Sequence, residues 1–261
     1  MKFMTSDHVR LDYSDTATTG QPVVLLTGIG GAKEIWADQI TWLSAHGYRV
    51  LALDARNQGA SQHTVKGRRM TRHALDLHEF ITELDLDRPL LMGNSMGAAT
   101  LWAYVSLFGD ANLAGLVDVD QSPKMINDDT WSFGFTDLTW DTFPTLLKFP
   151  LGSATFTHIA DATYADVKKA EAGHPYDAEL NLPFLLDHAF QDWRDIVALL
   201  HVPFLIIAGE KSPYFNPQFA AVTANLATNG HSVVIPNSGH IVMAEQPAAF
   251  NRALGEFLQT L

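Results

Sequence analysis

A single hydroxyl lies between two glycines in residues 91–97, LMGNSMG, where an apolar stretch ends. Ser95 could act as a nucleophile only if a base takes its proton, a third group orients that base and donors stabilise the oxyanion. A sharp strand-to-helix turn would hold the hydroxyl at the sheet edge, and it needs Gly93 and Gly97 because bulk two positions away would not fit. A helix starting at Met96 would direct N–H groups, including that of Met96, towards negative charge. The G-x-S-x-G motif alone arises often by chance, so the residues around it must decide whether Ser95 is a nucleophile.

Two other loops can supply the base and a second oxyanion donor. His240 follows the last apolar strand, in IPNSGHIVMAEQP, and precedes the final helix. This position predicts that His240 is the base, because the carboxyl ends of parallel strands meet at one edge of a sheet. The loop LLTGIGGAKEIW follows the first central strand and has flexible backbone at Gly28, Gly30 and Gly31. It can present the N–H of Ile29 as the second donor.

The elements that must position these residues alternate along the chain. Eight stretches predict β-strands: Lys2–Met4, Val9–Tyr13, Val23–Leu26, Tyr48–Leu53, Pro89–Met92, Leu113–Val119, Phe204–Ala208 and Ser232–Ile235. Strands that are apolar throughout and separated by helices predict a mostly parallel, doubly wound α/β sheet covered on both faces.

The regular alternation stops at residue 121 and resumes near residue 192. The segment between is rich in aromatic residues: Trp131, Phe133, Phe135, Trp140, Phe143, Phe149 and Phe156. We therefore predict a core made of residues 1–120 and 192–261, with 121–191 as a helical lid over the carboxyl ends of the strands. The alternative is a structural subdomain with a small core of its own.

Four motifs in this order resemble the α/β-hydrolase superfamily over essentially the whole chain: TGIGG, DARNQGAS, GNSMG and NSGH. The resemblance implies the α/β-hydrolase fold with a helical cap inserted after the sixth strand. It also implies Ser95 as nucleophile, His240 as base, and the N–H groups of Ile29 and Met96 as the oxyanion hole. Thr27 stands where the family commonly has a histidine before the oxyanion glycine.

The position of the acid that would complete a catalytic triad with Ser95 and His240 departs from the commonest pattern of the superfamily. Many members carry it in G-x-x-D after the seventh strand, but AGEKSPYF places Ser212 at that position. Glu210 lies two positions too early. Some members carry the acid after the sixth strand, where VDVDQSPK places Asp120. We predict Asp120 as the acid, with Glu210 as the alternative.

Composition excludes several classes of function. The formal net charge of −12 disfavours nucleic-acid binding, because such a surface repels phosphate backbones. The chain has no cysteine, so disulfides and thiolate metal sites are excluded, and none of its eleven histidines forms a metal-binding motif such as HExxH. No apolar run approaches the roughly 20 residues of a membrane helix. The N-terminus lacks an export signal, which predicts a cytoplasmic protein. We also predict that the protein needs no cofactor.

The function predicted from these residues is hydrolysis of a small-molecule carboxylic ester through an acyl-serine, in the manner of a carboxylesterase. The aromatic lid predicts small to medium, largely apolar substrates. C–C bond hydrolysis and hydroxynitrile lysis use similar triads and stay open. A dinucleotide-binding protein is a distant alternative, because a glycine loop follows a strand and Asp54 closes the next one; Lys33 occupies the third glycine position of that motif.

Overall fold

Eight strands form one sheet in the computed structural model, which describes all of residues 1–261. They are β1 (Lys2–Met4), β2 (Arg10–Asp15), β3 (Pro22–Leu26), β4 (Arg49–Asp54), β5 (Leu90–Asn94), β6 (Gly115–Val119), β7 (Phe204–Gly209) and β8 (Gly230–Ile235). Their order across the sheet is β1-β2-β4-β3-β5-β6-β7-β8. The strand β2 pairs antiparallel with both neighbours, and all pairs from β4 to β8 are parallel. Each predicted strand is present, with bounds shifted by a few residues.

Nine helices accompany the sheet. They are α1 (Ala37–Ala45), α2 (Met70–Glu83), α3 (Met96–Phe108), α4 (Asp161–Glu171), α5 (Ala178–Phe190), α6 (Arg194–Ala198), α7 (Phe219–Ala224), α8 (Val242–Glu245) and α9 (Pro247–Leu258). Short 3₁₀ helices occupy Lys33–Trp36 and Thr145–Lys148. No helix combines the length and the apolar character that crossing a membrane requires.

Apolar side chains pack on both faces of the sheet. Successive residues of a strand point to opposite faces, and in β3 Val24 and Leu26 belong to one cluster while Val23 and Leu25 belong to the other. The first cluster includes buried residues of α2, α3 and α7, and the second includes residues of α1 and α9. Burial on both faces explains why these strands are apolar throughout, as predicted for a parallel sheet.

The chain between β6 and α6 contains α4, α5 and the 3₁₀ helix Thr145–Lys148. Its aromatic residues do not share one face. Phe135 is buried, whereas Trp140, Phe149 and Phe156 are each more than half exposed. Trp140 packs edge-on against Phe190 at 5.8 Å on the outer surface. The aromatic residues of this segment therefore divide between the buried core and the outer surface.

Candidate active site

Ser95 occupies a strained turn between β5 and α3. Its backbone has φ 55° and ψ −123°, in a region that L-residues rarely adopt and that costs about 1–3 kcal/mol. A Cβ on Gly93 would lie 2.3 Å from the carbonyl carbon of Gly97, and a Cβ on Gly97 would lie 2.7 Å from the oxygen of Leu26. Only glycine fits at both positions, which is the physical reason for the G-x-S-x-G spacing.

The loop after β3 lies directly against this turn. A Cβ on Gly28 would be 2.9 Å from the Cβ of Ser95. The N–H groups of Ile29 and Met96 make no hydrogen bond within the protein, and that of Met96 belongs to the first residue of α3, where no intrahelical acceptor exists. Two N–H groups without an acceptor, those of Ile29 and Met96, therefore lie beside Ser95. Ile29 also lines the cavity beside Ser95, whereas the Met96 side chain is buried in the core.

His240 lies on the loop between β8 and α8, and it lines the same cavity as Ser95. Its Nδ1 is 2.6 Å from Oδ2 of Asp120. Tyr214 packs edge-on against the imidazole with ring centroids 4.7 Å apart. Asn94, beside Ser95, donates a hydrogen bond from Nδ2 to the backbone oxygen of His240 (3.1 Å). The imidazole is thus held between a carboxylate and an aromatic ring.

The Asp120 side chain is completely buried at the end of β6. Its Oδ1 accepts a hydrogen bond from the Gly209 N–H (2.9 Å), and its Oδ2 accepts from Ser212 Oγ (2.6 Å) as well as meeting His240. Glu210 instead accepts from the Asn237 N–H (3.2 Å) at the surface. Of the two candidate acids, the one in contact with His240 is Asp120.

The model of the alpha/beta hydrolase family matches residues 23–253. The chain belongs to this family. One relative of the hydrolase is the 2-hydroxy-6-oxo-6-(2'-aminophenyl)hexa-2,4-dienoic acid hydrolase of Metapseudomonas resinovorans, 27% identical over 98% of this chain and 90% of the relative.

Two solved structures share the fold of the hydrolase. A bromoperoxidase from Bacillus anthracis has a TM-score of 0.85 at 23% identity, covering 99% of this chain and 100% of the other. An esterase from Exiguobacterium antarcticum has a TM-score of 0.83 at 22% identity, covering 99% of each chain.

Glu245 holds the loop that carries His240 in this hydrolase. Its carboxylate accepts hydrogen bonds from four backbone N–H groups: Gly239 (2.9 Å), Ile241 (3.1 Å), Phe156 (2.8 Å) and Thr157 (2.8 Å). The first two flank His240 and the others belong to the segment before α4. The His240 N–H in turn donates to the oxygen of Ala154 (2.8 Å). Sequence patterns missed Glu245, since no local motif marks a carboxylate that binds both its own loop and a distant segment.

The cavity beside Ser95 and His240 has a volume of about 220 Å³. Its apolar lining comes largely from the segment between β6 and α6: Met125, Phe135, Leu147, Leu151, Val167 and Leu185. Among the polar lining residues, His188 is buried, and this burial lowers its pKa to about 4. His188 is therefore uncharged at neutral pH. The carboxylate of Glu171 forms an ion pair with Lys168 (2.9 Å).

The glycine loop does not form a dinucleotide site with Asp54. The Asp54 carboxylate is completely buried and accepts from the N–H groups of Lys33 (2.6 Å) and Ala60 (2.9 Å). It also pairs with the Lys33 ammonium at 3.0 Å. Burial raises the pKa of Asp54 to about 6, against the effect of Lys33. A ribose could not reach a carboxylate enclosed in this way.

Proposed function

We propose that this α/β-hydrolase is a serine esterase that cleaves carboxylic esters of small to medium, largely apolar substrates through an acyl-serine on Ser95. The observation that carries the proposal is the 2.6 Å contact between His240 Nδ1 and the buried Asp120 carboxylate, in the cavity that Ser95 also lines. Because Nδ1 is engaged by Asp120, Nε2 is the ring nitrogen left to accept a proton.

In the proposed reaction, His240 removes the Ser95 proton as Oγ attacks the ester carbonyl. The N–H groups of Ile29 and Met96 stabilise the oxyanion, for which both donors are free. Collapse of the tetrahedral intermediate breaks the ester C–O bond, and His240 returns its proton to the leaving alcohol. Water, deprotonated by His240, then attacks the acyl-serine, which releases the carboxylic acid and restores Ser95.

The residues that line the cavity favour the binding of neutral substrates. Its lining contains no lysine or arginine that could pair with an anionic group, and His188 is neutral. We propose residues 121–191 as the lid over this cavity, since they supply more than half of its apolar lining residues. Neutral acyl esters of short to medium chain are therefore expected to be hydrolysed faster than dicarboxylate or phosphorylated esters.

The test is hydrolysis of p-nitrophenyl esters of graded chain length, together with labelling by an organophosphonate. We expect the phosphonate to add its mass to the peptide that contains Ser95. Ser95→Ala should lower kcat by about 10⁴-fold or more. Ser106→Ala, on the exposed side of the same helix, is the matched control and should retain activity. Labelling of another residue with loss of activity would refute the assignment.

A second candidate is hydrolysis of a C–C bond, which the name of the Metapseudomonas resinovorans relative suggests. The substrate in that name is a dienoic acid, whose carboxylate would need a cationic partner. The cavity of this chain offers no lysine or arginine for that purpose, so ester hydrolysis is the better-supported function. Cleavage of a vinylogous diketone acid at a higher kcat/KM than any ester would reverse this order.

A third candidate uses the same acyl-serine, and the fold shared with a bromoperoxidase suggests it. Hydrogen peroxide in place of water would attack the acyl-serine and release a peroxy acid, with Ser95 restored. The peroxy acid could then oxidise bromide in solution. Bromination of an added dye would support this side activity if the bromination depends on peroxide, on a carboxylic ester or acid, and on Ser95.

A further inference from the structure

Gln58 connects the loop that carries the Ile29 N–H to the segment between β6 and α6. Its Oε1 accepts a hydrogen bond from the Gly30 N–H, and its Nε2 donates to Oδ1 of Asn181 in α5 (3.0 Å). Asn181 continues the chain of bonds by donating from Nδ2 to the oxygen of Asp177 (2.8 Å). Gln58 and Asn181 are both 99% buried. One side chain thus binds the oxyanion loop and the proposed lid together.

The direction of each hydrogen bond in this chain is fixed. A backbone N–H can only donate, so the oxygen of the Gln58 amide must face Gly30. The amide nitrogen must then face Asn181, which has to present its own oxygen. Turning either amide over would break two hydrogen bonds and leave buried polar groups unpaired. The oxyanion loop and α5 therefore satisfy their polar groups in one relative position.

The loop needs this external support because glycines surround Ile29. Gly28 precedes it, and Gly30 and Gly31 follow it, with Gly30 at φ +74°. Glycine tolerates many backbone conformations, so the sequence itself does not hold the Ile29 N–H in one orientation. The ring of Tyr176, just before α5, also packs against Gly30, since a Cβ there would lie 3.4 Å from its Cδ2.

From these contacts we propose that Gln58 is a positioning residue that couples α5 of the lid to the oxyanion donor of Ile29. Neither Gln58 nor Asn181 lines the cavity, so both act on the substrate only through the loop. The inference rests on the proposed function. It adds that displacement of the lid weakens stabilisation of the transition state as well as opening the cavity.

Two substitutions break the connection from opposite ends. Gln58→Met keeps the side-chain volume and removes both hydrogen bonds, and Asn181→Ala removes the one from the lid. Because an oxyanion donor acts mainly in the transition state, each should lower kcat by about 10- to 100-fold while KM changes less than about threefold. The double variant should lose little more than either single variant, because both remove the same connection.

Asp187→Ala is the matched control. Asp187 also lies in α5 and accepts a hydrogen bond from the Met70 N–H (2.7 Å), but it has no bond to the oxyanion loop. It removes this contact between α5 and α2 but leaves the hydrogen bond between Gln58 and Asn181 in place, so kcat should be retained. All rates are divided by the fraction of active sites titrated with the phosphonate, so partial unfolding does not enter kcat.

Hydrogen–deuterium exchange of the peptide containing residues 28–31 tests the coupling without any substrate. We expect faster exchange in Asn181→Ala than in wild type or Asp187→Ala. Equal exchange in all three proteins, or equal kcat in Asn181→Ala and Asp187→Ala, would overturn the coupling. If the phosphonate does not label Ser95, the proposed function fails, and the exchange data alone then decide whether the connection between α5 and the loop exists.

Discussion

Replacing Asp120 with asparagine should change the proton distribution on His240 while leaving the packing intact. The Gly209 N–H approaches Oδ1 at 2.9 Å and can only donate, so the amide of the variant must keep its oxygen there. Its NH₂ group then takes the place of Oδ2 and faces Nδ1 of His240, which was 2.6 Å away. Nδ1 must become the acceptor, the ring proton moves to Nε2, and Nε2 can no longer take the proton of Ser95. The opposite amide orientation would set two donors against each other in a buried site.

The size of the effect follows from this tautomer. The same substitution in a serine protease triad lowers kcat by about 10⁴-fold, which at about 1.4 kcal/mol per factor of ten is about 5.5 kcal/mol of transition-state stabilisation. Stability should change little, because the hydroxyl of Ser212, now a donor to Oδ2 at 2.6 Å, can rotate to accept from the new NH₂ group.

The assay is kcat/KM on the best p-nitrophenyl ester, with enzyme concentration taken from absorbance and folding checked by thermal melting. Glu210→Gln is the matched control, since the Glu210 carboxylate meets only the Asn237 N–H and the Lys211 ammonium (3.7 Å) at the surface, and it should stay within about twofold of wild type. Near wild-type activity in Asp120→Asn, alongside a large loss in Glu210→Gln, would show that the reasoning selects the wrong carboxylate.

Three further perturbations test other parts of the site. Ser212→Ala removes the hydroxyl that donates to Oδ2 of Asp120, the oxygen that also faces His240. The carboxylate keeps its charge and its bond from Gly209, so kcat/KM should fall far less than in Asp120→Asn, and an equal loss in the two variants would contradict this assignment. Glu245→Gln places an NH₂ group against backbone N–H donors, so it should lower kcat. It should also lower the free energy of unfolding, measured by urea titration, by about 1–3 kcal/mol. Burial lowers the pKa of His73 to about 3 and that of His188 to about 4, so the unfolded chain gains protons below about pH 6.5 and the folded chain does not. The free energy of unfolding should therefore fall between pH 7 and pH 5, by up to about 4 kcal/mol more in wild type than in a variant with glutamine at both positions. An equal dependence of the free energy of unfolding on pH in the two proteins would refute the assignment of buried neutral histidines.

The features that sequence predicts well here depend on local constraints. The eight strands follow from apolar stretches between turns, and the turn at Ser95 follows from the lack of space at Gly93 and Gly97. We predicted Asp120 as the acid because the usual acid position after the seventh strand holds Ser212 and no carboxylate. The contact between Asp120 and His240 agrees with that prediction. Its catalytic role stays a prediction until the variants are measured.

Sequence could not predict the contacts between distant loops. Gln58 and Asn181 are 123 positions apart, and Glu245 binds backbone groups 88 and 89 positions away. Nothing in the local pattern distinguishes these side chains from solvated ones. Sequence also could not assign the aromatic rings around Trp140 to an inner or an outer face, because this stretch is mostly irregular and has no helical period.

The position of Ser212 bears on how proteins of this kind are recognised in genome sequences. A search pattern that demands a carboxylate after the seventh strand would classify this chain as a degenerate member that has lost its activity. In the structure the same position holds a hydroxyl 2.6 Å from a carboxylate supplied by the neighbouring strand β6. Among chains with a serine at this position, those that also end the sixth strand in aspartate deserve assay before they are set aside as pseudoenzymes.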